Sequence, residues 1–336
     1  MKIRKLRQIE VSEIGMGCMG FSHGYGDAPE RSYSIRAIQA AYEYGCTFFD
    51  TAESYGKQQF YPGHNEQIVG EAVRPFRKQI VLATKFHFHD EMPTERKAIE
   101  AVIRRHLEQS LKNLQTDYVD LYYLHRVNEA VPLEEVAGVM GDLIREGVIR
   151  GWGLSQVSGD MLRRADAVTP VSAVQNLYSM VERDCERDIF PYCLAHEIGV
   201  VPFSPIASGL LSGKVTEKTR FEGDDVRKFV PQLSPENLAA NRPIVEVVSR
   251  FAQAKNATNA QIALAWMLHK YPNVVPIPGS KNRERILENL KASEVSLTDE
   301  EFSALESALD ACTVYGHRGH VETEQNPTFE FTKQEK

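Results

Sequence analysis

Eight short apolar runs, each followed by a segment of helical period, limit the folds open to this chain more than any other property. They cover residues 13–17, 47–49, 80–84, 119–123, 149–153, 173–175, 200–203 and 274–276. Regular alternation of strand and helix signals implies a parallel sheet covered by helices. Eight such units in one chain of 336 residues predict a (β/α)8 barrel. Between residues 98 and 114, Ile99, Val102, Ile103, Leu107, Leu111 and Leu114 recur at three- and four-residue steps, the apolar face of one helix. A second helix is expected to start at Pro132, carry Glu134 and Glu135 near its positive end, and stop at Gly147. Thr298-Asp299-Glu300-Glu301 reads as a capping box. The whole chain, 1–336, is read as one barrel domain with an N-terminal hairpin or plug in the first fifteen residues. The rhythm breaks at about 207–241, a segment too long for an ordinary βα loop and a candidate lid, and a tail follows from about 312 to 336.

Composition removes several function classes. A net charge of -7 provides no basic stripe for nucleic acid. No apolar run is long enough to cross a bilayer, and the charged opening Met1-Lys2-Ile3-Arg4-Lys5 is not expected to act as a secretion signal. The five cysteines are scattered without metal-type spacing, which fits a reduced, cytoplasmic setting.

Chemistry-bearing residues fall where a barrel places its active site, at the C-terminal ends of the strands. Asp50 follows the second run, with Tyr55 five residues on. Lys85 follows the third, His125 the fourth and Ser155-Gln156 the fifth, Gln175 lies on the sixth, Phe203 ends the seventh, and Ser280 follows the eighth. A phenol with an ordinary pKa of about 10 donates its proton poorly near neutrality unless a cation favours the phenolate. Lys85 is a candidate for that cation, Asp50 for its anchor, and His125 for orienting a carbonyl oxygen. For any one of these residues a satisfied polar group at a strand end is the plainer reading. Six polar positions at equivalent points of six units are hard to assign to chance.

The order and spacing of these segments resemble the aldo-keto reductases over essentially the whole chain. The resemblance rests on Gly17-Cys18-Met19-Gly20, Phe49-Asp50-Thr51-Ala52-Glu53-Ser54-Tyr55-Gly56, Asn65-Glu66, Thr84-Lys85, Asp117 to His125, and Gly151-Trp152-Gly153-Leu154-Ser155. It continues through Gln175-Asn176, Ser204-Pro205 to Lys214, and Pro278-Gly279-Ser280 to Asn289. It implies Tyr55 as general acid, Lys85 lowering its pKa, Asp50 bonding Lys85 and His125 steering the carbonyl. It also implies NADPH/NADP+ as cofactor and a small carbonyl compound as substrate. Ser155, Gln156 and Gln175 would hold the nicotinamide amide with Phe203 stacked on the ring. Gly20, Ser204, Pro205, Ser208, Gly209, Leu211, Lys214, Gly279, Ser280, Lys281, Arg285, Glu288 and Asn289 would line the rest of the cofactor. Many relatives have Asn where this chain has Gln156, and Lys where it has Gly279; Lys281 and Arg285 remain to meet a phosphate.

Two rival functions come from other classes. One is a cofactor-binding sensor or regulatory subunit resembling potassium-channel β subunits, with slow turnover. The other is a metal-dependent hydrolase using His87 and His89, for which no matching His and Asp ligands occur at the later strands. The loops that would select a substrate, around 21–25, 60–62, 127–128 and the tail, follow no readable code. Within the tail, Tyr315-Gly316-His317-Arg318 reads equally as a pocket-closing segment or a surface turn.

Overall fold

The computed structural model describes residues 1–319, so the part of the expected tail from 320 to 336 lies outside the described residues. The chain opens with an antiparallel hairpin, β1 (Ile3–Leu6) and β2 (Ile9–Ser12). Seven parallel strands follow in sequence order: β3 (Met16–Gly17), β4 (Phe48–Asp50), β5 (Val81–Phe86), β6 (Leu121–Leu124), β7 (Trp152–Ser155), β8 (Ala173–Gln175) and β9 (Gly199–Val200). The eighth expected strand carries too few ladder bonds to count as one, yet it closes the ring. Val274 bridges to Val200 on one side, and Gly279 bridges to Gly17 on the other. Val275 N donates to Val200 O at 2.8 Å, and Gly15 N donates to Pro276 O at 2.9 Å.

Helices α1 (Arg31–Glu43), α2 (His64–Val73), α3 (Arg96–Leu114), α4 (Leu133–Glu146), α5 (Gly159–Val168) and α6 (Ile189–Ala195) follow β3 to β8. After β9 come α7 (Pro235–Ala240), α8 (Arg242–Ala254) and α9 (Asn259–Lys270), and after the closing segment α10 (Arg283–Leu290) and α11 (Asp299–Asp310). Helix α3 buries Ile99, Val102, Ile103, Leu107 and Leu114, the face its periodicity predicts. Pro132 stands one residue before α4 rather than inside its first turn, and Gly147 ends that helix at φ 77°. The capping box at Thr298 and Glu301 forms as expected. Among the described residues no helix is long and apolar enough to cross a membrane.

Strand alternation divides the core in two. Phe49, Leu82, Tyr122, Leu124, Trp152, Leu154 and Val174 face the helices. The opposite parity faces the ring interior, where Phe48, Val81, Ala83, Leu121, Tyr123, Ala173, Val201, Val275 and Ile277 pack together. Gly153 supplies no side chain there because Tyr123 fills the space: a Cβ would lie 2.4 Å from its ring. Leu6, Ile9 and Val11 of the hairpin join this inner cluster and plug the ring from below. The next inward residue upward in each column is Asp50, Lys85, His125, Ser155, Gln175, Phe203 or Gly279. Two-residue periodicity therefore carries these groups from a plugged apolar interior to the C-terminal rim.

The break at 207–241 is folded. It holds 3-10 turns at Ala207–Ser212, Val226–Phe229 and Pro231–Leu233 as well as α7. Asp224 accepts from Gln59 Nε2 at 2.8 Å and from Gly24 N at 3.1 Å and meets His23 Nδ1 at 2.8 Å, while Tyr25 bridges to Asp225. These contacts strap the segment to the loop after β3.

Candidate active site

A cavity of about 690 Å³ opens at the C-terminal rim, and Tyr55, His125, Ser155, Gln175, Phe203 and Gly279 are in its wall. Beneath Tyr55 lies a heavily bonded cation. Lys85 is fully buried, and its Nζ donates to Asp50 Oδ1, to Thr51 O at 2.7 Å and to the Tyr55 hydroxyl at 3.4 Å. Gln175 Nε2 donates to the other Asp50 oxygen at 2.8 Å, fixing the carboxylate from a strand four places around the ring. The Tyr55 and His125 rings meet edge to face, with centroids 5.8 Å apart. The structure thus brings Asp50, Tyr55, Lys85 and His125 together.

Electrostatics follow from this burial. Desolvation alone would lower the Lys85 pKa, but Asp50 and Tyr55 outweigh it and raise the ammonium above its ordinary value. Burial raises the Tyr55 phenol, with Lys85 and Arg126 pulling the other way, so the expected lowering by Lys85 is present but does not win in the unliganded chain. Burial also carries His125 well below its ordinary value, and Arg126 and Lys85 add to the shift. The imidazole is neutral near pH 7 and can donate one N–H.

The expected cofactor residues divide by position. Gly20, Ser155, Gln175, Phe203, Ser204 and Gly279 line the cavity. Gln156 has a positive φ of 58° and is buried; its Oε1 accepts from Leu177 N at 3.1 Å, while its Nε2 has no partner among the described residues. Pro205, Ser208, Gly209 and Leu211 continue along the segment after β9, outside the cavity wall. That segment holds Ser204, Ala207 and Ser208 at φ 50°, 47° and 54°, uncommon for residues other than glycine. Ser208 Oγ is buried there without a partner among the described residues. Lys214 pairs with Glu288 at 3.4 Å, joining that segment to α10. Ser280 Oγ accepts from Asn282 N at 3.1 Å, Asn282 caps α10 by accepting from Arg285 N at 2.9 Å, and Lys281 Nζ donates to Asp27 O at 2.6 Å. Arg285 is exposed at the start of α10, and Asn289 is buried at its far end.

Other groups at the site had no sequence signal strong enough to assign. Arg126 lines the cavity and donates to Ser155 Oγ at 3.1 Å; its only signal is adjacency to His125. Thr51 contributes a main-chain carbonyl, which residue type does not encode. His87 and His89 reach the wall with rings 4.5 Å apart, and His87 Nδ1 accepts from His89 N at 2.6 Å. Of the substrate-loop residues, His23, Tyr25, Val127 and Asn128 line the cavity, whereas Phe60 and Tyr61 are exposed outside it. In the tail, Arg318 enters the cavity wall.

Comparison with known proteins identifies the family. The model of the Aldo/keto reductase family matches residues 13–310. The chain is 38% identical over 314 residues to the probable aldo-keto reductase 1 of Glycine max, covering 92% of this chain and 88% of that one. Among solved structures, the glycerol dehydrogenase of Gluconobacter oxydans has a TM-score of 0.80 at 27% identity, over 98% of each chain. An aldo/keto reductase of Klebsiella pneumoniae, solved with NADP and acetate, has a TM-score of 0.71 at 29% identity, over 95% of this chain and 99% of that one. With its seven-stranded parallel ring, its closing segment and a family match over most of its length, the chain belongs to the aldo/keto reductase family.

Proposed function

We propose that this chain reduces aldehydes or ketones to alcohols with NADPH, using Tyr55 as the general acid. The observation that carries the reading is the buried Lys85 ammonium, bonded at once to Asp50, the Thr51 carbonyl and the Tyr55 hydroxyl at the floor of a cavity. The residues present suit a nicotinamide dinucleotide. Phe203 offers a flat ring, Ser155 and Gln175 offer polar groups beside it, and Gln156 Nε2 and Ser208 Oγ are buried donors in want of an acceptor. The relative from Klebsiella pneumoniae solved with NADPH supports the same choice. Lys281 and Arg285, at the exposed start of α10, would meet a 2′-phosphate, where the positive end of the helix dipole also favours an anion.

When bound, NADPH supplies the hydride that reduces the carbonyl carbon. The chain's own groups manage the proton and the charge. Tyr55 gives its hydroxyl proton to the carbonyl oxygen, and the O–H electron pair stays on the phenolate. Lys85 stabilises that phenolate at 3.4 Å, and Asp50 keeps the ammonium in place. Neutral His125 donates an N–H to the same carbonyl oxygen, fixing its direction and favouring the charge that develops there.

The test is NADPH consumption with a panel of aldehydes, ketoses and quinones, in the native chain and in Tyr55→Phe. The variant is expected to lose about 10²–10⁴-fold in kcat while binding NADPH nearly as before. Retention of most of the turnover would remove Tyr55 from the acid role. NADPH binding without turnover by the native chain would instead mark a cofactor-binding sensor.

A further inference from the structure

Arg318 is a cavity cation that the reduction chemistry does not use and that the fold takes trouble to place. Its segment is stapled from below by two fully buried amides. Asn241 Nδ2 donates to Tyr315 O at 2.9 Å, and Asn241 Oδ1 accepts from Tyr315 N at 2.9 Å. Gln232 N donates to His317 O at 3.2 Å, and its Nε2 donates to Glu182 Oε1 at 3.0 Å. The same Glu182 oxygen accepts the Arg318 main-chain N–H. Gly316 permits the turn: its φ is 70°, and a Cβ would lie 2.6 Å from Asn237 Nδ2. The Arg318 side chain is only 8% exposed and reaches the cavity wall. Its Nε donates to Ser204 Oγ at 3.3 Å; Glu182 and Tyr25 favour its charge from a distance, but no carboxylate of the described residues comes within ion-pair reach of the guanidinium. A guanidinium stays charged under any ordinary condition, and a buried one calls for an anion. The charged lining elsewhere does not provide a free one. Asp50 is held by Lys85, Glu129 is exposed at the rim, and Lys57 and Arg126 add positive charge.

We propose that the carbonyl substrates of this chain carry a carboxylate, and that Arg318 binds it with its planar fork. The substrate class rests on the carbonyl-reductase reading, while the anion site does not. A phosphate of the cofactor is the other source of an anion near Ser204, and the experiment separates the two.

Binding of 4-carboxybenzyl alcohol and of its methyl ester is measured calorimetrically in the native chain, Arg318→Met and Arg318→Lys, with and without NADP+. NADPH binding is measured in parallel. Turnover is compared for 4-carboxybenzaldehyde and its methyl ester. Arg318→Met should weaken the carboxylate by about 10- to 100-fold and leave the ester and NADPH unchanged. Arg318→Lys, which retains charge and fold, should lose less. Carboxylate binding that depends on Arg318 in a chain without turnover would uphold the anion site and overturn the carbonyl reading. Equal affinity for acid and ester in the native chain, or a loss confined to NADPH, would overturn the assignment of Arg318 to a substrate carboxylate.

Discussion

At the bottom of the ring Arg4 gives guanidinium N–H groups to the carbonyls of Leu268, Tyr271 and Val274, and Ser12 and Thr47 exchange main-chain and hydroxyl bonds at 2.9 Å. At the top, Gln156 Nε2 and Ser208 Oγ are buried without a partner among the described residues, and Gln156, Ser204, Ala207 and Ser208 hold positive φ. Both ends are built from loops and strand termini of one ring. The bottom spends its polar groups on closing the fold, and the top leaves some of them open, where a ligand can complete them.

Removing a bottom side chain is the hardest blow to that contrast. Leu6→Ala empties space in the plug beneath the inner cluster and should cost about 2–5 kcal/mol of stability, read by chemical denaturation. Turnover of the folded fraction should be unchanged, and a fall in kcat comparable to that of Tyr55→Phe would show that the two ends are not separable. Ser208→Ala probes the top and should do the reverse. It removes a hydroxyl with nothing to lose in the unliganded fold, so stability should stay within about 0.5 kcal/mol. NADPH should bind about 0.5–1.5 kcal/mol more weakly by fluorescence titration. A clear loss of stability would mean that the hydroxyl already serves the fold.

The smallest effect, up to about 1.4 kcal/mol at one pH unit below the ordinary histidine value, sets a partnered histidine against an open one. His106 meets Glu53 Oε2 at 2.7 Å, and that contact, against the pull of burial, raises its pKa. Its contribution to stability is fully present below about pH 6.5 and fades as pH rises through the folded-state value. His125 has a depressed pKa, so below about pH 6.5 the unfolded chain takes up a proton that the folded chain refuses, and stability falls on acidification. His106→Gln should therefore destabilise more at pH 5.5 than at pH 8, and His125→Gln should gain on the native chain over the same interval. Parallel pH curves for the two variants would erase the distinction.

Much of this could be read from the chain because local periodicity carried it. Residues 81, 83 and 85 share one face of a strand, so placing Val81 and Ala83 inside the ring also placed Lys85 at its top. Asp50 and His125 follow from Phe48 and Tyr123 in the same way. The unread parts depend on partners far along the chain. The eighth strand was legible as an apolar run, but its few bridges reflect the ring's closing geometry. Arg318 could not be placed because its burial depends on Asn241, 74 residues from the Tyr315 it grips. The family resemblance assigned Gln156 to the nicotinamide amide, and the sequence carried no sign that its backbone is left-handed or that its Oε1 accepts from Leu177 N.

Ring closure has a consequence for how the chain comes off the ribosome. Gly15 bonds Pro276, and Gly17 bridges to Gly279. The first strand therefore waits for a partner made near the end of synthesis. Until then β3 and the growing end of the sheet are bare edges that can pair with other nascent chains, and the hairpin has no finished ring to plug. Folding of this chain is gated by its last quarter, and its period of greatest exposure to aggregation falls before residue 279 has emerged.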